Sequence, residues 1–149
     1  MVTVDQFVKL LKAHDLKITP QRLEILKYLD KNRTHPSANQ IYLNLKKKNP
    51  SLSKTTIYNS LDALSKHNII QELTISKSES RYDFKITPHH HFLCNKCGAI
   101  IDLEGRCPHT ECPFLNKMQK DKHKIEEVQG YFKGICEKCL KAELQKKSN

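Results

Sequence analysis

The sequence predicts an α+β protein in which a helical first part is followed by a smaller part made of strands and metal-ligating residues. Apolar residues recur at helical spacing through residue 68, and from residue 69 the apolar period changes from 3.6 to 2, which is typical of strands. All six cysteines lie in the second half of the chain. We therefore expect two domains, residues 1–86 and 87–149.

Two helices are expected before residue 33. The first has apolar residues at i, i+3, i+4 and i+7, the spacing of one buried face: Val4, Phe7, Val8 and Leu11. Pro20 opens the second helix at its first turn, where a missing N–H costs nothing, and this helix should end near Asn32. Its apolar face is expected to hold Leu23, Leu26 and Leu29.

Two further helices carry clear start signals. Ser37 should cap the third helix, because S-A-N-Q is a capping box, and Asn49–Pro50 should end it. Ser53 should cap the fourth, with Asn68 as its stop. The core-facing residues of the fourth helix are expected to be Ile57, Leu61 and Leu64.

A hairpin follows the helices. Residues 69–75 and 81–86 are predicted strands joined by the turn S-K-S-E-S. Alternation places Tyr82, Phe84 and Ile86 on one face of the second strand and Asp83 on the opposite, polar face. Helices followed by a hairpin with a basic tip describe a winged helix-turn-helix.

The charge distribution favours double-stranded DNA as the partner of this first part. The net charge is +10; residues 1–85 carry 15 basic and 8 acidic side chains, and residues 86–149 carry 11 and 8. A basic surface attracts polyanions, although a merely solvated lysine-rich surface is the alternative. The fourth helix would enter the major groove with Lys54, Thr55, Thr56, Tyr58 and Asn59, unless these only cover its surface. Phosphates would be reached by Lys46, Lys47, Lys48, Lys77 and Arg81.

Two C-x-x-C knuckles predict a structural zinc site. Cys94 and Cys97 precede Gly98, and Cys136 and Cys139 follow Gly134. Four thiolates suit a closed, tetrahedral zinc shell. The alternative is four small core residues or free thiols. No secretory signal or membrane span is recognisable, so we expect a cytoplasmic protein, in which such cysteines bind metal more often than they form disulfides.

The histidines before the first knuckle point to a second kind of site. If residues 89–94 form a strand, His89 and His91 share one face and His90 takes the other. Asp102 lies on the next strand, A-I-I-D-L. Imidazoles combined with carboxylates favour a first-row ion such as Fe(II), Mn(II) or Zn(II).

Six segments, within roughly residues 7 to 140, resemble the ferric uptake regulator family of bacterial metal-dependent repressors: LKITPQRLEILKYL (16–29), THPSANQIY (34–42), SKTTIYNSLDAL (53–64), RYDF (81–84), HHHFLCNKCGAIIDLE (89–104) and GICEKC (134–139). The resemblance implies a winged-helix DNA-binding domain joined to an α/β dimerisation domain, and a homodimer on A/T-rich palindromic operators. It also implies structural zinc at the cysteine knuckles. The regulatory ligands that it implies are His35, Asp83, His89, His91 and Asp102.

The resemblance is stronger to the peroxide-responsive branch of this family, chiefly because residue 102 is aspartate where the iron-uptake branch tends to have glutamate. In that branch, bound Fe(II) reacts with hydrogen peroxide and a ligand histidine is oxidised, by analogy His35 or His89. Mn(II) would fill the site without that chemistry. The alternative is an iron- or zinc-responsive uptake repressor of the same family.

Other classes are less compatible with the sequence. It has no nucleophile elbow, H-E-x-x-H motif or phosphate-binding glycine loop, so we expect no enzyme and no small-molecule substrate other than peroxide. A metal-storage protein would not need four capped helices and a basic hairpin. The segment E-G-R-C-P-H-T-E-C-P-F, with Cys107, His109 and Cys112, departs from the family and leaves a further metal or thiol site open, while a third site using His90 is doubtful.

Overall fold

The computed structural model describes residues 2–75, 79–84, 89–103, 117–118, 120–124 and 130–147. The chain divides into two compact units, Met1–Ile86 and Thr87–Asn149. The first holds four helices and a two-stranded sheet. The second holds a three-stranded sheet and, among its described residues, a C-terminal helix.

Local side-chain chemistry sets the helix starts in the first unit. The helices are α1 (Val4–Ala13), α2 (Pro20–Lys31), α3 (Ala38–Lys46) and α4 (Lys54–Lys66). Each begins after a hydroxyl residue whose side-chain oxygen accepts a backbone N–H of the first turn: Thr3, Thr19, Ser37 and Ser53. The predicted capping box of Ser37 with Gln40 is confirmed, and Thr3 forms another with Gln6 that sequence analysis missed.

The helix ends follow equally local signals. The helix α4 ends at Lys66, and Asn68 then adopts a left-handed φ of 53°, as its prediction as a stop requires. The helix α3 ends at Lys46, a little before the predicted Asn49–Pro50 stop.

The four helices pack around one apolar core. Its fully buried members include Phe7, Leu11, Ile25, Leu26, Leu29, Ile41, Ile57, Leu61, Leu64 and Ile69. Three positions differ from the prediction: Val4, at the first residue of α1, is exposed, and Val8 and Leu23 are only partly buried. Ile25, which was not predicted, joins Leu26 and Leu29 on the buried face of α2. Packing rather than spacing decides which flank of an amphipathic helix is covered.

The hairpin is shorter than predicted. Its strands β1 (Gln71–Leu73) and β2 (Arg81–Asp83) pair antiparallel, with Glu72 opposite Tyr82. Tyr82 and Phe84 are buried as predicted, whereas Ile86 and Lys77 lie outside the described residues. Asp83, predicted on the polar face opposite Tyr82 and Phe84, is also buried, with only 3% of the residue exposed.

The chain segment before α3 runs along the free edge of β2. The backbone N–H of Tyr82 donates to the carbonyl oxygen of Pro36 at 3.0 Å, and Ser37 forms an antiparallel bridge with Arg81. This pairing holds His35 next to the strand that carries Asp83.

Parallel strand pairing organises the second unit. Its strands β3 (His90–Cys94), β4 (Ile100–Leu103) and β5 (Tyr131–Gly134) lie in the order β4-β3-β5. The pair β3–β4 is antiparallel and the pair β3–β5 is parallel, with Cys94 opposite Gly134. The helix α5 (Glu137–Lys147) follows β5. Neither β5 nor its pairing was predicted from the sequence.

We expect Leu61→Ala to lower the free energy of unfolding by about 2–5 kcal/mol, because Leu61 is fully buried in the core between the helices and truncation leaves a cavity. Leu43→Ala is the matched control, since Leu43 lies on α3 of the same unit and is exposed. Urea unfolding followed by helical circular dichroism measures both. Equal stability of the two variants would contradict the assigned buried face of α4.

Candidate metal centres

The four knuckle cysteines come together in the second unit. Cys94 ends β3, Cys97 lies in the following turn, Cys136 lies between β5 and α5, and Cys139 lies in the first turn of α5. The Sγ atoms of Cys94 and Cys139 are 3.9 Å apart, and those of Cys97 and Cys136 are 3.8 Å apart. The parallel pairing of β3 with β5 therefore aligns two knuckles that are some forty residues apart in sequence.

These distances fit a tetrahedral zinc shell. Zinc–sulfur bonds of about 2.3 Å place neighbouring sulfur atoms about 3.8 Å apart in a tetrahedron. A disulfide would need about 2.05 Å, and all four thiols are free. The donor set and its spacing are thus those of a closed structural site. The assignment of zinc to these residues remains a prediction.

The thiols of Cys94 and Cys139 differ in pKa because their hydrogen bonds differ. The backbone N–H of Cys136 donates to Sγ of Cys94 at 3.3 Å, and backbone donors lower the pKa of Cys94 to about 6. Hydrogen bonding with the Cys136 thiol raises the pKa of Cys139 to about 12. Four thiolates this close repel one another, so complete ionisation needs a bound cation. Outside the cluster, Lys96 and Glu143 form an ion pair that ties the first knuckle to α5.

A buried imidazole–carboxylate pair lies in the first unit. His35 and Asp83 are almost fully buried, and Nε2 of His35 lies 3.8 Å from Oδ2 of Asp83. That separation is too long for a hydrogen bond but suits two ligands of one ion. His35 has a φ of 49°, in the left-handed region that non-glycine residues rarely adopt.

Three potential ligands converge in the second unit. Nε2 of His89 lies 3.5 Å from Oδ1 of Asp102, and Nε2 of His91 lies 3.8 Å from the same oxygen. His91 and Asp102 are directly opposite each other on β3 and β4, and both histidines are buried. The prediction that His89 and His91 share a face is confirmed, since their ring centroids are 4.3 Å apart.

His90 faces the other side of the sheet, as predicted. Its ring packs edge-on against Phe132, and a Cβ at Gly130 would lie 2.2 Å from its Nδ1 atom. Glycine at 130 is therefore needed for this ring position. The sequence offered no signal for that close approach, because the two residues meet only when β5 pairs with β3.

The candidate DNA-reading residues lie along the first turns of α4. Lys54, Thr55, Tyr58 and Asn59 are exposed there. Thr56 is partly covered, and its hydroxyl hydrogen-bonds that of the capping Ser53 at 2.7 Å. Thr56 is thus committed to the helix start and less able to meet a base edge.

Tyr42 is a residue whose surface role sequence analysis missed. Its ring is partly buried against the core of the first unit, while its hydroxyl accepts a hydrogen bond from Nζ of Lys46 at 2.7 Å. Nζ of Lys54 also lies 6.0 Å from its ring centroid. Tyr42 therefore joins the last turn of α3 to the first turn of α4 through two basic side chains.

Part of the predicted chemistry falls outside the described residues. Cys107, His109 and Cys112 belong to this group. Within the part of the chain that the structure describes, none of the helices has the length and apolarity to cross a membrane.

We expect Cys94→Ser or Cys136→Ser to lose bound zinc and to lower the unfolding temperature, because serine cannot supply a thiolate to the cluster. Lys138→Ser is the matched control, since Lys138 is exposed between the two cysteines of the second knuckle and supplies no thiol. Elemental analysis measures the bound zinc, and a thermal melt measures the unfolding temperature. One zinc per chain retained in Cys94→Ser would contradict the assignment.

The chain is similar to known proteins over most of its length. The family model "Ferric uptake regulator family" matches residues 13–129. The peroxide-responsive repressor PerR of Staphylococcus aureus (strain Mu50) is 33% identical over 146 residues, covering 91% of this chain and 90% of the relative. That relative is named for its response to peroxide.

Two solved structures share the fold. The Helicobacter pylori ferric uptake regulator Fur, described as having three functional metal binding sites, has a TM-score of 0.73 and 27% identity, covering 93% of this chain and 95% of that one. The Campylobacter jejuni peroxide stress regulator has a TM-score of 0.64 and 26% identity, covering 93% and 100%.

These similarities confirm the predicted α+β class, a winged helix-turn-helix domain followed by an α/β dimerisation domain. The predicted cofactor classes, zinc together with iron or manganese, are those of the family. The chain belongs to the ferric uptake regulator family, whose members are metal-responsive transcription regulators rather than enzymes.

Proposed function

We propose that the protein is a homodimeric, metal-dependent DNA-binding repressor that senses hydrogen peroxide at an Fe(II) or Mn(II) site. The observation that carries the proposal is that each unit by itself brings together potential nitrogen and oxygen ligands of a metal ion. His35 and Asp83 lie in the first unit, and the other three potential ligands lie in the second.

Double-stranded DNA is the proposed partner of the first unit. The exposed first turns of α4 offer Lys54, Thr55, Tyr58 and Asn59 for base edges in a major groove. An A/T-rich palindromic operator follows from the family resemblance and from the symmetry that a homodimer imposes on its site. The cytoplasmic location is proposed on the same ground, since the operator lies there.

The second unit is proposed to hold the two chains together. Exposed apolar residues on its strands and next to the second knuckle supply a surface that a partner copy can cover: Ile101, Phe132 and Ile135. Structural zinc at the four cysteines would stabilise this small unit, which has little core of its own.

The proposed regulatory shell combines His35, Asp83, His89, His91 and Asp102. Among the described residues, the first unit offers two of these ligands and the second offers three, fewer than the four or six of a tetrahedral or octahedral shell. An ion held by both units favours one relative orientation of them. If that orientation is the one that binds DNA, metal and operator strengthen each other's binding by the same factor, so the metal is a corepressor.

Peroxide sensing is the finer part of the proposal. When bound, Fe(II) would promote cleavage of the O–O bond of hydrogen peroxide, so that one oxygen atom passes to an imidazole ring, which is oxidised by two electrons, and the other leaves as water; Mn(II) would not promote this cleavage. The chain contributes buried imidazoles at His35 and His89 that accept the oxygen atom. An oxidised imidazole is a poorer nitrogen donor, so the ligand set weakens and the operator is released. Support comes from Asp102 and from the 33% identity to the staphylococcal repressor.

A second candidate is a repressor that responds to iron or zinc concentration without peroxide chemistry. The similarity to the Helicobacter pylori ferric uptake regulator, at 27% identity and a TM-score of 0.73, favours it. The two candidates share DNA binding and differ in the response of the metal-loaded protein to peroxide.

The discriminating experiment uses anaerobic protein and an A/T-rich duplex selected from a random library in the presence of Mn(II). We expect both metal forms to bind the duplex and dilute hydrogen peroxide to release only the Fe(II) form. Peptide mass spectrometry should then find an added oxygen atom on His35 or His89. Binding by the Fe(II) form that survives peroxide would establish the second candidate instead.

A pair of lysines on α4 tests the DNA interface. Lys54→Ala should weaken binding and reduce the slope of log affinity against log salt concentration by about 1, because one phosphate contact is lost. Lys66→Ala, at the far end of α4 and paired with Asp62, should change neither. Fluorescence anisotropy at several salt concentrations measures both, and equal slopes would remove the first turn of α4 from the interface.

Ligand variants separate the two metal sites. His91→Ala and Asp83→Ala should keep structural zinc and the folded state while losing metal-dependent DNA binding, because neither residue belongs to the cysteine cluster. Zinc analysis, a thermal melt and anisotropy with Mn(II) provide the readouts. Unfolding of His91→Ala would contradict the division into two sites.

A further inference from the structure

We infer that Arg81 is a positioning residue that holds His35 in its ligand conformation and links it to the start of α3. The inference rests on the proposed function, which makes His35 a metal ligand. Sequence analysis placed Arg81 among residues that reach DNA phosphates. In the structure its side chain is only 18% exposed and is engaged by residues of its own unit.

His35 needs support because its backbone is unfavourable. Its φ of 49° places a non-glycine residue in the left-handed region. The following Pro36 also restricts the residue before it to extended conformations. A backbone of this kind persists where the surrounding structure holds it, and such positions cluster at functional sites.

The supporting contacts come from β2. Nη1 of Arg81 donates to the carbonyl oxygen of His35 at 3.4 Å, and the N–H of Tyr82 donates to that of Pro36 at 3.0 Å. Nη2 of Arg81 lies 3.0 Å from Oε1 of Glu79, which fixes the guanidinium from its other side. The left-handed turn is thus held at two successive carbonyl groups.

The same guanidinium reaches the start of α3. Nη1 of Arg81 also lies 3.5 Å from Oε1 of Gln40, and that oxygen accepts the backbone N–H of Ser37 at 2.8 Å. Ser37 and Gln40 form the capping box of α3. Arg81 therefore connects the carbonyl of His35 to the first turn of a helix that packs against α4.

Strand β2 therefore carries the potential ligand Asp83 and also Arg81, which supports the potential ligand His35. Arg81 and Asp83 are two residues apart on β2, so their side chains leave the same face. Displacing His35 from Asp83 would strain the contact between Arg81 and Gln40. Nη1 of Arg81 has two acceptors, the carbonyl oxygen of His35 and Oε1 of Gln40, and Nη2 has the carboxylate of Glu79. These contacts use both terminal nitrogens of the guanidinium, which lysine lacks.

The test measures Mn(II) affinity from the electron paramagnetic resonance signal of free Mn(II). Arg81→Met should weaken Mn(II) binding about tenfold or more, the usual range when a residue that orients a ligand is removed. Arg81→Lys should recover little of it. Arg33→Met is the matched control: it removes the same charge two residues before His35, where the Arg33 guanidinium pairs with Asp30 and lies 5.7 Å from the centroid of the Phe84 ring. Structural zinc should be unchanged in all three.

Two readouts separate positioning from general stabilisation. The double variant His35→Ala with Arg81→Met should bind Mn(II) no more weakly than His35→Ala alone, because Arg81 acts through His35. In metal-free protein, amide hydrogens of residues 37–41 should exchange faster in Arg81→Met and in Arg81→Lys than in Arg33→Met. Arg81→Lys keeps the test available if Arg81→Met does not fold.

The outcomes distinguish the inference from the function on which it rests. Wild-type Mn(II) affinity in the Arg81 variants, with weakened binding in His35→Ala, would overturn the role of Arg81 and leave the proposed function standing. A loss of DNA affinity alone would make Arg81 a phosphate contact and also overturn the inference. Wild-type Mn(II) affinity in His35→Ala would remove His35 from the ligand set, and both proposals with it.

Discussion

The parallel pairing of β3 with β5 is the constraint on which the second unit depends. It places Cys94 opposite Gly134 and so brings together two cysteine knuckles distant in sequence. The strand β3 also carries His91, whose partner across the sheet is Asp102. One short strand thus ends in a sulfur site and bears a nitrogen and oxygen site on its face. Because β3 links Cys94 to these residues, loosening of the cysteine cluster is expected to displace the histidines a few residues earlier.

The two donor sets differ in the metal ions that they suit. Thiolates form closed, tetrahedral shells around zinc, which has no redox chemistry of its own, and so suit a permanent structural role. Imidazoles and carboxylates accept several first-row ions, whose occupancy varies with supply and with redox conditions. Keeping the sets apart allows a regulatory metal to come and go without unfolding the unit that holds it.

In the first unit, two potential ligands are brought together by a different kind of contact. There a pair of potential ligands, His35 and Asp83, comes from a turn and a strand that contact each other along an edge. The turn leads directly into the capping box of α3, so ligand geometry and helix geometry share the same few hydrogen bonds. A metal bound at His35, as proposed, would therefore act next to the first turn of α3.

Local features of the chain were determined by the sequence alone, because they depend on neighbours a few residues away. These include the caps at Ser37 and Ser53, the stop at Asn68, and the shared face of His89 and His91. Features that depend on distant partners were decided only by the tertiary structure. Strand β5 pairs with a segment some forty residues earlier, Asp83 is buried although alternation predicts a polar face, and Arg81 turns inward instead of toward solvent. Periodicity records which residues share a face, but only packing decides what covers that face.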